Sequence, residues 1–105
     1  MENVTAYIGR DYGAGEWSAN DVYRVAAKAL EAVGIDGMTF CECIGVWQGQ
    51  PENSVRLDLL AVDASEARRA LKWICRALKQ WAIVYTVDGQ GMHEVTDDAA
   101  KRRAA

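Results

Sequence analysis

The chain has 105 residues, of which 50% are apolar and 26% charged, a composition typical of one folded domain. No apolar run reaches the roughly 18–20 residues of a membrane span and the first residues lack signal-peptide features, so we expect a cytoplasmic protein without membrane contact. The net charge of −3 is unevenly distributed, because residues 65–80 carry five cations and one Glu. The protein is therefore acidic with one basic helix, and such a field steers partners.

The first part of the chain predicts a strand, a loop and a helix. Val4–Arg10 has the pattern of a strand, and the glycine-rich segment 11–16 lacks the spacing of phosphate-binding loops, so we interpret it as a connection. Ser18 can cap a helix and Asp21 can complete a capping box. Apolar residues then recur at three- and four-residue steps until Gly34 ends the helix.

The middle of the chain predicts a β-hairpin over Met38–Val62. Its first arm is Met38–Trp47 and its second is Ser54–Val62. The turn is expected over Gln48–Asn53, which contains the only proline of the chain. Apolar and polar residues alternate along the second arm, which is typical of a half-buried strand.

The last part of the chain predicts a second helix and a final strand. Asp63 can cap the helix with Glu66 three residues on, and an apolar stripe continues almost to Gln80. Residues 81–87 are β-branched and aromatic and predict a strand. Asp88-Gly89 closes this strand.

This order of elements predicts the fold class. With right-handed crossovers it gives an α+β fold of the ferredoxin-like βαββαβ type, a four-stranded antiparallel sheet with two helices on one face. We expect a single ferredoxin-like domain over residues 1–91. Residues 92–105 are expected to form a polar C-terminal tail.

The residues that could carry chemistry do not form a recognised motif. Cys41, Cys43 and Cys75 are an odd number of cysteines, which favours reduced thiols, and with His93 they lack the spacing of zinc ligands. We therefore expect no metal, no cofactor and no catalytic residue. Glu42 lies in an apolar alternation, and three interpretations remain open: an exposed face, a bulge, or a half-buried carboxylate.

Two surfaces are candidates for binding. Trp73 lies opposite the apolar stripe of its helix, beside Arg69 and Arg76, where it is either covered by the tail and the arginine stems or the aromatic anchor of an interface. The face of the sheet without helices is the other candidate. Tyr7 and Trp47 are placed there if their strands face that way, and such a face favours a partner, a second copy or stacked bases.

Three segments resemble small ferredoxin-like proteins of phages and mobile elements. They are Thr5–Arg10, the run from Gly45 through Ser54, and Gln80–Val84. Phage proteins of this size and acidity include anti-CRISPR proteins, which occupy a surface of a host complex. The resemblance therefore implies an inhibitor-type binding protein.

These observations lead to one main hypothesis and two alternatives. The main hypothesis is a non-enzymatic inhibitor that masks a surface of a host protein complex handling nucleic acid, without direct nucleic-acid binding itself. The first alternative is a small-molecule-binding domain or enzyme on the open sheet face, using Glu42, Tyr7 or Tyr85, and the second is a structural homodimer. The expected partner-binding residues are Asp11, Glu16, Asp21, Glu31, Arg69, Trp73 and Arg76.

Overall fold

A computed structural model describes residues 1–97 and contains one five-stranded sheet and two helices. The strands lie in the order β2-β3-β1-β4-β5, and all neighbours are antiparallel. In chain order the elements are β1 (Glu2–Gly9), α1 (Ala19–Ala32), β2 (Thr39–Trp47), β3 (Gln50–Val62), α2 (Ala64–Ala77), β4 (Ala82–Val87) and β5 (Gln90–Thr96).

The prediction of a four-stranded ferredoxin-like sheet is wrong, although the protein is still α+β. Asp88 and Gly89 have φ angles of 53° and 71°, which make a two-residue hairpin turn. The chain therefore returns as β5 and pairs with β4, and Val95 is buried against the helix side. The fifth strand thus takes residues from the expected tail, of which 98–105 lie outside the described residues.

One face of the sheet packs on both helices and forms a single core. Alternate residues of β1, β3 and β4 point to this face, and the stripes of α1 and α2 cover them. Burial of these side chains supplies most of the free energy of folding. The largest fully buried side chains are Val4, Ile8, Val22, Leu30, Val55, Leu57, Leu59, Leu71, Ile74, Leu78, Ile83 and Val95.

The predicted helix starts are confirmed. The amide of Asp21 donates to Ser18 Oγ at 3.0 Å, and the amide of Ser18 donates to Asp21 Oδ2 at 3.2 Å, which is the capping box. Asp63 Oδ1 accepts from the amides of Ser65 and Glu66 at the start of α2. These local hydrogen bonds fix where each helix begins and therefore how long the preceding loop is.

Cys75 is a structural residue of the core. Its side chain is fully buried, and its Sγ donates to the carbonyl of Gln80 at 3.2 Å. Burial, with a smaller effect of the Asp97 charge, raises the pKa of this thiol to about 11. The thiol is therefore protonated at neutral pH and packs as a small apolar group.

The central hairpin turns earlier than its sequence predicts. Gln48 and Gly49, with φ angles of 51° and 78°, form the whole turn, so β3 already begins at Gln50. Pro51 pairs with β2 only, because β1 ends at Gly9 opposite Ser54. Its missing N–H therefore breaks no ladder hydrogen bond, and the hairpin extends beyond the rest of the sheet.

Within residues 1–97, neither helix combines the length and the apolarity that crossing a membrane requires.

We predict that β5 contributes to stability through Val95. Val95→Ala removes buried methyl groups and should lower the free energy of unfolding by about 1–3 kcal/mol. Met92→Ala on the same strand is the control, because Met92 is 79% exposed and its truncation should change stability by less than about 0.5 kcal/mol. Urea denaturation measures both, and equal stabilities of the two variants would contradict the packing of β5.

Candidate functional site

The open face of the sheet forms the floor of a cavity in the described part of the chain. The alternation that buries Ile8 turns Tyr7 and Gly9 away from the helices. Tyr7 lies opposite Val84 on β4, and Val84 lies opposite Glu94 on β5. An aromatic ring, an aliphatic side chain and a carboxylate therefore form one row across three strands.

Three segments that are distant in the sequence form the walls. They are the loop after β1, the tip of the β2–β3 hairpin and the connection from α2 to β4. The cavity has a volume of about 910 Å³, which is within the range of sites that bind a cofactor-sized molecule. It is lined by Tyr7, Gly9, Asp11, Tyr12, Gly13, Ala14, Trp47, Gln48, Glu52, Lys79, Gln80, Trp81, Ala82, Val84 and Glu94.

The loop after β1 is fastened to the end of α2. The indole N–H of Trp17 donates to the carbonyl of Leu78 at 2.8 Å, and Gln80 Nε2 donates to the carbonyl of Asp11 at 3.0 Å. The ring of Tyr12 stacks on Trp17 with centroids 4.4 Å apart. Two walls of the cavity are therefore held together by two hydrogen bonds, and the ring stacking lies within the loop itself.

The hairpin wall places the carboxylate of Glu52 directly over Gly9. A Cβ atom on Gly9 would lie 2.7 Å from both carboxylate oxygens, so only glycine leaves room for this side chain. Burial raises the pKa of Glu52 above 4.5, and the charges of Asp11 and Glu16 raise it further. Hydrogen bonds from the Asp11 amide and the Trp47 indole offset part of the rise.

The lining combines aromatic rings with carboxylates. Tyr7, Tyr12, Trp47 and Trp81 are the aromatic residues, and Trp47 and Trp81 are each about half exposed. Asp11, Glu52 and Glu94 supply three carboxylates against a single cationic side chain, Lys79. Aromatic faces and carboxylates both attract cations, and aromatic faces stack on flat rings. The cavity therefore suits a ligand with an aromatic ring and a positive charge.

A second cavity lies on the other side of the loop after β1. Its volume is about 600 Å³, and it shares Asp11, Gly13, Ala14 and Glu52 with the first. It adds Glu16, whose Oε1 accepts from Asn53 Nδ2 at 2.8 Å. The acidic character of the site thus continues around the loop.

The structure separates the acidic partner-binding residues that the sequence predicts. Asp11 and Glu16 lie at the two cavities. Asp21 belongs to the capping box and also pairs with Arg24, while Glu31 is exposed near the other end of α1. Only the first two therefore share one surface.

The predicted partner-binding residues of α2 lie on its exposed side. Trp73 is 58% exposed, and Arg69 pairs with Glu66 at 2.8 Å. Arg76 is exposed in the last turn of α2. Their role in binding a partner stays a prediction.

The alternative site residues Glu42 and Tyr85 lie on the helix side of the sheet, away from the cavity. Glu42 is exposed and pairs with Arg10 at 3.4 Å. Tyr85 is 5% exposed, and Arg68 Nη1 donates to its hydroxyl at 3.0 Å. Of the three residues in that hypothesis, only Tyr7 therefore lines the cavity.

Sequence reasoning missed Glu52, Lys79 and Trp81 as site residues. The sequence places Glu52 in the predicted hairpin turn, Lys79 at the end of the predicted helix and Trp81 at the start of the predicted strand. A tight turn at Gln48-Gly49 would have placed Glu52 on the open face, because alternate residues share a face. Cys41 and Cys43 are free thiols, and the described residues contain no cluster of three or more metal-ligating side chains.

Comparison with solved structures finds the same fold in two structures of phage SAM lyase. One is a phage SAM lyase in complex with S-methyl-5'-thioadenosine, with a TM-score of 0.78 and 18% identity. The other is a phage SAM lyase in the apo state, with a TM-score of 0.79 and 19% identity. Each match covers 92% of this chain and 90% of the other chain. No protein-family model matches the sequence, and no curated protein matches it significantly.

These neighbours correct two expectations. Both are enzymes, which overturns the prediction that the protein is not an enzyme. Both are phage proteins, which supports the phage part of the resemblance, but they are SAM lyases and give no support to an anti-CRISPR relationship. What the likeness establishes for this chain is the fold.

We predict that Glu52 makes stability depend on pH. Its raised pKa means that the folded state binds the proton more tightly than the unfolded state, so unfolding free energy falls as the pH rises from 4.5 through the folded pKa. Glu52→Gln removes this loss, and its stability relative to the unmodified protein should therefore increase over the same interval. Chemical denaturation at several pH values measures the difference.

The control for this prediction is Asp36→Asn, which removes one carboxylate from an exposed loop position outside both cavities. A stability difference between Glu52→Gln and the unmodified protein that stays constant with pH would contradict the buried carboxylate.

Proposed function

We propose that the protein binds S-adenosylmethionine in the larger cavity and cleaves it as a lyase, with release of S-methyl-5'-thioadenosine. The observation that carries the proposal is the Glu52 carboxylate seated on Gly9 between aromatic walls. The solved structures with the same fold support the proposal, because they are structures of phage SAM lyase and one of them contains S-methyl-5'-thioadenosine.

The chemistry of the ligand matches the lining of the cavity. Adenine is a flat ring that stacks on tryptophan and tyrosine, and the sulfonium is a cation that aromatic faces attract. The ribose hydroxyls are hydrogen-bond donors, and a carboxylate is an acceptor with four lone-pair sites. The carboxylate of Glu52 lies over Gly9 in the lining of the cavity, so we assign the ribose contact to it.

The proposed reaction needs no water. The bond between the sulfonium sulfur and the γ-carbon of the methionine part breaks, and its electron pair stays on sulfur, which gives the neutral thioether S-methyl-5'-thioadenosine. The carboxylate of the same substrate forms a C–O bond at that carbon and closes a lactone. A positive and a negative charge are lost together, so a site that excludes water favours the transition state.

The residues of this chain then hold and enclose the substrate. The aromatic rings and Val84 supply the apolar surface next to the reacting atoms, and Glu52 positions the ribose. The site holds the substrate in a folded conformation in which its carboxylate lies next to the γ-carbon. The reacting atoms are then already in position, so less conformational entropy is lost in the transition state. The main contribution of the protein is thus orientation and exclusion of water.

We predict that Gly9→Ala abolishes most of this activity without unfolding the protein. The new Cβ displaces the Glu52 carboxylate, which is the mobile end of a side chain, so the cost in stability is small. We expect kcat/KM for S-adenosylmethionine to fall by roughly 10- to 100-fold, the equivalent of one charge-assisted hydrogen bond. Chromatographic detection of S-methyl-5'-thioadenosine measures the rate, and NMR identifies the second product.

Gly37→Ala is the matched control, because a Cβ at Gly37 meets no atom within 4 Å. It should keep full activity, and so should Asp36→Asn. Absence of S-methyl-5'-thioadenosine formation by the unmodified protein would contradict the proposed function.

A second function, masking a surface of a host protein complex, is favoured by one observation. Trp73 is 58% exposed on α2, next to the cations Arg69 and Arg76, and exposed tryptophan with arginine is the composition of interface hot spots. This surface lies on the helix side of the sheet, so it is compatible with catalysis in the cavity.

The test of the second function is capture of a stoichiometric protein complex from host lysate. We predict that Trp73→Ala loses the captured complex, while Gly9→Ala keeps it. If the Trp73→Ala variant captures the complex as well as the unmodified protein does, this surface does not bind the complex. If a second copy of the chain is the sole captured partner, the protein is a homodimer and does not mask a host complex.

A further inference from the structure

The helix α2 ends in a hydrogen-bonded motif that turns the chain into the cavity. The amide of Gln80 donates to the carbonyl of Cys75 at 2.9 Å, and the amide of Lys79 donates to the carbonyl of Arg76 at 3.2 Å. These two bonds are the Schellman motif. The motif fixes the backbone of Lys79 at the point where α2 meets the cavity wall.

Lys79 occupies the position of this motif where glycine is usual. Its φ angle is 55°, in the left-handed region, where a side chain is unfavourable. The other described non-glycine residues with positive φ lie in hairpin turns or near the irregular end of β3, so Lys79 is the one at a helix end. Strained backbone of this kind is found often at functional sites, and Lys79 lines the cavity.

The ammonium group of Lys79 faces the site without an ionic partner. Its Nζ lies 5.9 Å from the centroid of the Tyr12 ring, and Tyr12 is itself stacked on Trp17. Lys79 forms none of the ion pairs found among residues 1–97. It is the only cation in a lining with three carboxylates.

Glu52 and Lys79 lie on opposite sides of β1, whereas Glu94 on β5 lies on the same side as Lys79. Glu52 comes from β3 on one side, and Lys79 comes from the connection to β4 on the other, with Gly9 between them. A ligand that reaches from Glu52 to Lys79 meets a carboxylate at one end and an ammonium at the other. The ligand therefore needs hydrogen-bond donors at the first end and an anionic group at the second.

The geometry points to Lys79 as the residue that binds the α-carboxylate of the amino-acid part of S-adenosylmethionine, an inference that rests on the proposed function. The adenosine part is common to substrate and product, whereas the carboxylate leaves with the other fragment. Lys79 therefore selects the uncleaved substrate, and S-methyl-5'-thioadenosine, which has no carboxylate, gains nothing from it. The contact weakens product retention relative to substrate binding.

The same contact positions the reacting carboxylate. An ammonium that binds one carboxylate oxygen leaves the other oxygen free to attack the γ-carbon. Gln80 is not available for this role, because its Nε2 already donates to the carbonyls of Asp11 and Leu78. Gln80 instead holds the backbone next to Lys79.

Calorimetric binding of two probes tests this inference. Sinefungin has the amino-acid part and an amine-bearing carbon in place of the sulfonium, so it cannot lose a thioether, and S-methyl-5'-thioadenosine lacks the amino-acid part. Lys79→Gln should lower the affinity for sinefungin by about 10- to 100-fold, which is the loss expected for one charge-assisted hydrogen bond. The same substitution should change the affinity for S-methyl-5'-thioadenosine by less than about twofold. Lys79→Arg should restore most of the lost affinity.

Two further variants control for folding and charge. Lys79→Gly relieves the strain of the left-handed backbone and should raise Tm by roughly 2–6 °C. It should lower the affinity for sinefungin as much as Lys79→Gln does. Lys72→Gln removes an exposed cation of α2 outside the cavities and should leave both probes unchanged.

The two claims fail differently in this experiment. If the unmodified protein binds neither probe, the proposed function is wrong. The other outcome is that the unmodified protein binds both probes, and that the Lys79→Gln and Lys79→Gly variants bind sinefungin with the same affinity as the unmodified protein. In that case the role of Lys79 is overturned and the proposed function stands.

Discussion

The cavity depends on the hydrogen bonds that fasten the loop after β1 to the end of α2. The Trp17 indole N–H donates to the Leu78 carbonyl, and the side-chain amide of Gln80 donates to the Asp11 carbonyl. These two hydrogen bonds join segments that are more than 60 residues apart in sequence. Without them the loop would have no fixed position relative to the connection between α2 and β4. The two walls and the strained backbone of Lys79 would then no longer be held in a fixed position relative to one another.

The other constraint is the absence of a side chain at Gly9. The carboxylate of Glu52 occupies the space that a Cβ would fill, and this draws the protruding hairpin wall onto the floor of the sheet. The cost is electrostatic, because burial and the nearby charges of Asp11 and Glu16 oppose ionisation of Glu52. A site that carries such a cost without a ligand gains most when a donor-rich or cationic ligand binds.

Local signals in the sequence predict the helices well and the sheet in part. The capping box at Ser18 and the apolar stripe of α2 depend on residues at most four apart, so they can be identified from the sequence alone. The fifth strand was missed although Asp88-Gly89 is a hairpin signal, because the following segment has only one buried apolar residue, Val95. Pairing with β4, which is a tertiary interaction, decides its structure.

The candidate site was harder to predict than the fold because its parts are scattered. Residues 7–14, 47–52 and 79–84 meet only after the sheet has formed, and no motif links them in sequence. Charge alone selected Asp11 and Glu16, which do lie at the cavities, but it also selected Asp21, whose carboxylate caps its own helix. Glu52 was overlooked because a proline and a glycine nearby made its segment resemble a long turn.

The most direct test of the central claim is an NMR titration of the protein with S-methyl-5'-thioadenosine, followed through the backbone amides and the tryptophan indoles. We expect the largest shifts at Gly9, Asp11 and the indoles of Trp47 and Trp81, which belong to the floor and three walls of the cavity. Shifts confined to the exposed side of α2 around Trp73, or no shifts at saturating ligand, would contradict a nucleoside site on the open face of the sheet.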